Sequence, residues 1–125
     1  MRLLPVAILL SSLLSPASGI SYAATPCTLN LEPSVLATVV DANGSPQPYA
    51  DVTFMLDGGP VLDQGCAMYS GASPGGCQQW YGGFEQLGLF TVTAVGTNGS
   101  VTRDVPVTLM GRCHVETQSV TLVLP

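Results

Sequence analysis

The chain has 125 residues, a formal net charge of −5 and no lysine; its three cations, Arg2, Arg103 and Arg112, face eight carboxylates. Without a basic patch, nucleic acid and anionic lipid surfaces are excluded as partners. Such a surface, built mostly from Ser, Thr, Gln, Asn and Gly, suits a protein working outside the cytoplasm.

The N-terminus reads as a processing segment. Arg2 precedes the apolar run Leu3–Leu14, which is shorter than the roughly 20 residues a spanning helix takes. Ser15-Pro16 breaks the run, and Ser21-Tyr22-Ala23 places small residues where a leader peptidase cuts. We expect a signal peptide over 1–23, export to the periplasm or medium, and no transmembrane helix. A lipid anchor on Cys27 is the rival reading, and Ala24-Thr25-Pro26 is a poor lead-in for it. Roughly 100 residues remain, enough for one domain: an extended segment over 24–33, then a folded unit over 34–125.

Val35–Leu56 reads as strand, turn, strand. Val35, Ala37 and Val39 alternate with Leu36, Thr38 and Val40, as a pleated and mostly buried segment requires. Asn43-Gly44 supplies a tight reversal, and Pro46 and Pro48 belong ahead of the next strand or on an edge. Val52, Phe54 and Leu56 then form one apolar face. Asp57-Gly58-Gly59-Pro60 is a second turn signal, and Val61–Gly65 is ambiguous. Strand-like pieces near 66–69 and 77–81 flank a Gly/Ser/Pro tip, as in a clipped hairpin or loop. Phe90, Val92 and Ala94 alternate with threonines before Asn98-Gly99, a strong hairpin signal. The partner strand puts Val101, Val105, Val107 and Leu109 inward and Arg103 outward, with Pro106 marking an edge. Met110-Gly111-Arg112 reverses the chain into a last strand, Cys113–Leu124, with Val120, Leu122 and Leu124 on one face. Six or seven short strands and no helix give an all-β, small antiparallel sandwich of about seven strands.

Four cysteines in an exported chain read as two disulfides, with three pairings available. Cys66–Cys77 and Cys27–Cys113 are favoured: one pins a short excursion, the other ties the domain's start to its last strand. Loop-closure entropy puts their contributions at roughly 3 and 4.5 kcal/mol.

The order of elements resembles the carboxypeptidase regulatory-like domains, which have a transthyretin-like (prealbumin-like) sandwich. The residues that carry the resemblance are Val39-Val40-Asp41, Gly44-Ser45-Pro46, Ala50-Asp51-Val52, Gly88-Leu89-Phe90-Thr91-Val92, and Cys113-His114-Val115 with Val120-Thr121-Leu122. It spans roughly Ser34 to Leu124 and implies an accessory, adhesive or stabilising module with no catalytic residues. The stretch Cys66–Phe84 stands out as an insert, and Gly96-Thr97-Asn98 departs from a Gly-aromatic pair. Two enzyme classes on this fold fail on inventory: ring-cleaving dioxygenases hold iron with two tyrosines and two histidines, and hydroxyisourate hydrolases need several histidines.

Chemistry-bearing residues are few. Tyr69, Trp80, Tyr81 and Phe84, with Gln78 and Gln79, form a candidate aromatic platform for a glycan or a protein partner. The plainer reading puts Trp80 over the open end of the core. His114, the only histidine, is a candidate metal ligand, with Met110 and Met68 or Met55 as a thioether set for copper; the plainer reading has it capping a carbonyl or carboxylate. Asp41, Asp57 and Asp63 fit no calcium loop signature, and the Asn43 and Asn98 sequons are explained by their turns. We expect a non-catalytic binding or structural module without a cofactor. The alternatives are a carbohydrate-binding module using the aromatics of 66–84 and a small metal-binding protein at His114.

Overall fold

The computed structural model describes residues 27–71 and 75–125; the expected signal peptide, its cleavage site and the tip of the clipped loop lie outside them. Among these residues the chain forms ten strands and no helix: β1 (Pro33–Val40), β2 (Asp51–Leu56), β3 (Gly59–Pro60), β4 (Gln64–Tyr69), β5 (Cys77–Phe84), β6 (Gly88–Gly96), β7 (Gly99–Val107), β8 (Leu109–Met110), β9 (His114–Val115) and β10 (Gln118–Val123). Ten exceeds the seven expected because β3, β8 and β9 are two-residue pieces at turns. No helix of the described residues is long and apolar enough to cross a membrane.

Two four-stranded sheets, ordered β10-β1-β5-β4 and β3-β2-β6-β7, make the sandwich, and β8-β9 form a separate ribbon. The pairing is antiparallel except between β1 and β10, which run parallel from Val35↔Gln118 to Val40↔Val123. Period-two alternation fixes the faces. Val35, Ala37 and Val39 point inward beside Trp80 and Leu122, and meet Phe54, Phe90, Val92 and Ala94 of the other sheet. Gly82 lies opposite Val35 on the inward face, and a Cβ there would stand 2.3 Å from the Phe54 ring. The second sheet's outer face mixes Thr, Ser and Asp with the exposed Met55, Leu89 and Val95. Thr53, Thr93 and Thr102 form one cross-strand row, with the last two hydroxyls 3.0 Å apart.

Four expectations are corrected. The turn after β1 forms, with Gly44 at φ 83° and Asp41 Oδ1 accepting from the backbone N–H groups of Asn43 and Ser45. Its flanking strands nevertheless enter different sheets, because Pro46 and Pro48 bring no N–H to extend a ladder beyond Val40↔Pro46. The 66–84 stretch is no insert: β5 is central, bonded to β1 and β4. Leu109 is 51% exposed rather than inward, since β7 ends at Val107 and the chain leaves the sheet there. Arg103 pairs with Val92 and shares the inward phase of Val101 and Val105; it still reaches solvent because β7 is an edge strand. An inward-phase charge on an edge disfavours pairing with another sheet. Pro106 lies on this same edge, as read from the sequence.

Both favoured disulfides are present, Cys27–Cys113 spanning 86 positions and Cys66–Cys77 spanning 11, and no described cysteine is free. They point to an oxidising, exported environment.

The sheet spacing yields a test. Gly82→Ala drives a methyl into Phe54 from backbone that is paired on both sides. We expect a loss of about 3 kcal/mol, read by chemical denaturation. Phe54→Leu, which opens that space, should recover part of the loss in the double variant.

Candidate functional site

The predicted aromatic platform is dispersed. Trp80 is 8% exposed and belongs to the core, where its inward register opposite Ala37 puts it. Tyr81 points outward, with its ring against Gly65 and its hydroxyl 3.4 Å from Asp63. Desolvation first, and the Asp63 carboxylate second, push the Tyr81 phenol above its ordinary range. The Phe84 ring meets that of Tyr81 at 5.0 Å between centroids. Tyr69 stands apart, 73% exposed, at the end of β4, with the exposed Gln78 on the neighbouring β5. Only Tyr69 and Gln78 therefore remain as parts of an open surface at the clipped loop.

That surface continues into residues that carry no functional weight in the sequence reading. Pro46-Gln47-Pro48-Tyr49 crosses the end of the sandwich, and Tyr49 is 63% exposed. Its backbone is fixed: Gln47 N–H donates to Val39 O at 2.9 Å, and Cys77 N–H donates to Pro48 O at 2.8 Å. The second bond ties the segment to a residue of the Cys66–Cys77 disulfide. On one side of Pro48 lies a groove of about 450 Å³ that includes Gln47, Tyr49, Asp51, Thr97 and Leu124. On the other lies a groove of about 260 Å³ between Pro46 and Ser70, Gly71, Cys77 and Gln78. A third hollow, by Asp41 and Asn98, shares Gln47 and Thr97 with the first. A Pro-x-Pro-Tyr segment beyond a turn is the sequence signal that could have found it.

The opposite end holds a chain of polar contacts. His114 Nδ1 bonds Glu85 Oε2, and His114 Nε2 lies 2.6 Å from Thr28 Oγ1. Glu85 also accepts from the N–H groups of Glu32 (3.0 Å) and Val115 (2.9 Å). These bonds join the N-terminal segment, the β5–β6 turn and β9 beside Cys27–Cys113. Glu85 itself sits at φ 53°, a left-handed conformation uncommon for a side-chain-bearing residue. The order hydroxyl, imidazole, carboxylate is that of a nucleophile, base and orienting group. The adjacent groove is lined by Glu32, Met110, His114, Val115, Glu116 and Thr117. The contacts clamp three segments together, and the bond to Glu85 is the carboxylate cap expected for His114. Sequence gave no hint of Glu85 or Thr28, which lie 29 and 86 positions from His114.

The metal readings do not converge. Met110 pairs with His114 across the β8–β9 ribbon, but Met68 lies near the other end and Met55 on the outer face of the second sheet. Asp41 accepts from N–H groups of its own turn, and Asp57 from the Leu89 N–H at the start of β6. Among the described residues, no three His, Cys, Asp or Glu side chains are grouped to hold an ion. No family model, curated protein or solved structure matches the chain.

Two measurements follow from this geometry. The Trp80 emission should be blue-shifted and weakly quenched by acrylamide; an exposed-indole spectrum would refute its place in the core. The hydrogen bond from His114, with those from the Val115 and Glu32 N–H groups, holds the Glu85 carboxyl below the usual carboxylate range. A carboxylate with a folded pKa below its unfolded value, about 4.3 for Glu, contributes stability above that value and loses it as pH falls through the folded one. Glu85→Gln should therefore be less stable than the parent at pH 6, with the difference shrinking toward pH 3, as followed by thermal melts across that range.

Proposed function

We propose that this chain is a non-catalytic binding module, exported to the periplasm or medium, whose recognition surface is the end of the sandwich built around Pro48. The observation that carries the reading is the pair of grooves flanking Pro48, rimmed by Tyr49 and close to Tyr69 on a backbone held by the Cys77–Pro48 hydrogen bond and a disulfide. Exposed tyrosines on a pre-ordered scaffold are suited to recognition, because little rotamer freedom is lost on binding. An accessory role also agrees with the resemblance to carboxypeptidase regulatory-like domains. It places the contact surface on the same clipped loop as the sequence reading, with Tyr49 in place of Trp80. The clamp at His114 serves the fold by fixing the opposite end.

The test uses the labelled mature protein and cell-envelope material of the producing organism. Retention should fall about tenfold in a Tyr49→Ser/Tyr69→Ser variant, consistent with losing one to two aromatic contacts. It should be unchanged in a Met55→Ser control on the outer face of the second sheet. Equal retention of all three proteins would refute the surface.

A further inference from the structure

We infer that the surface around Pro48 takes a neutral carbohydrate chain, with one sugar in the groove beside Tyr49 and the chain continuing over Pro48 toward Gln78. This rests on the binding reading above and names its ligand class.

The groove's chemistry is that of a saccharide site. Tyr49 offers an aromatic ring with a polar tip, a partner for the C–H face of a pyranose. Gln47 brings an amide oxygen that accepts, its nitrogen already reaching Asp41 Oδ2 and Ser45 O at 3.4 Å, Asp51 a carboxylate able to accept from two neighbouring hydroxyls, and Thr97 a hydroxyl. At about 450 Å³ the groove falls within the ~300–1,000 Å³ typical of small-ligand sites.

Charge selects among sugars. The chain's two cations beyond the leader are Arg103, in β7, and Arg112, beside the Cys113 disulfide at the opposite end. A uronate or sulfate entering the groove would meet Asp51, with Asp41 in the adjoining hollow, and no compensating cation among the lining residues. A neutral sugar meets hydrogen-bonding groups, a ring and the apolar sides of Pro48, Val95 and Leu124.

The layout argues for a chain rather than a single ring. The grooves lie on either side of Pro48, and the smaller one is bounded by Ser70 and Gln78 next to the exposed Tyr69. A linear oligosaccharide crossing Pro48 fills both. Such a path needs a surface that does not rearrange, which the Pro48–Cys77 and Gln47–Val39 backbone bonds provide.

The mature protein is applied to an array of neutral oligosaccharides (glucose, mannose, galactose, xylose and N-acetylglucosamine series) and of uronate-containing and sulfated ones. Signal is expected on one neutral series only, rising with chain length. Tyr49→Ala and Asp51→Asn should each lower apparent affinity about tenfold, and Gln78→Ala should flatten the dependence on chain length. Parental melting temperature and Trp80 emission in every variant exclude misfolding. Signal confined to acidic sugars, or none at all, overturns the inference.

The envelope assay separates this failure from that of the binding reading. Periodate, which cleaves vicinal diols, should abolish retention on pretreated envelope, and proteinase should leave it intact. The opposite pattern, with retention still dependent on Tyr49 and Tyr69, identifies a protein ligand: the carbohydrate inference falls and the surface stands. Retention indifferent to both tyrosines removes the surface itself.

Discussion

The close approach of Phe54 to Gly82 sets the dimensions of this domain. The ring occupies the space in which any side chain at position 82 would stand, so the central strand of one sheet lies directly over an aromatic of the other. Around that contact, small and β-branched residues fill what is left: Ala37 and Val35 on one side, Val92 and Ala94 on the other. A domain of this size has little apolar area to spare, which explains why Trp80 is spent in the core instead of on the surface. The two sulfur bridges supplement a core that is small by necessity.

With the centre committed to packing, the two ends differ in character. At the His114 end, a disulfide, a carboxylate with three donors and a short ribbon fasten three segments together. At the Pro48 end, backbone bonds hold Gln47 and Pro48 in place while the Tyr49 and Tyr69 rings stand exposed. Pro46 and Pro48 have no N–H to place in a ladder, so the chain crosses the mouth of the sandwich here without adding a strand. The ordering of this crossing comes from Cys77 and Val39, residues of strands it does not join.

Much of the architecture was legible because it is written locally. Alternation over Phe90–Ala94, the turn at Asn98-Gly99 and the cysteine separations each report a local pattern or a simple closure. The crossing between sheets after Val40 was not legible, since a tight Asp-Ala-Asn-Gly turn has the same chemistry whether its flanking strands pair or part. The centrality of β5 was hidden by Gly82 and Gly83, at which the strand-like piece 77–81 was expected to stop, although Gly82 is required by Phe54. Arg103 was assigned by charge when its register with Val92 decides its phase. The clamp was invisible for a different reason: Thr28, Glu85 and His114 are each unremarkable alone, and only the closed fold brings them together. Tyr49 was overlooked because neighbouring prolines read as mere connection.

The position of the longer disulfide has a mechanical consequence. Cys27 and Cys113 bracket all but the last stretch of the described chain, which ends after β10. Tension applied between residue 27 and residue 125 therefore travels across the sulfur bridge and along residues 113–125. It does not pass through the intervening strands. The only slack on that route is the bend between β9 and β10. Linked in tandem with other domains, this one would carry force through the sulfur bridge and β10, an edge strand of the first sheet, and the whole second sheet would lie off that covalent route.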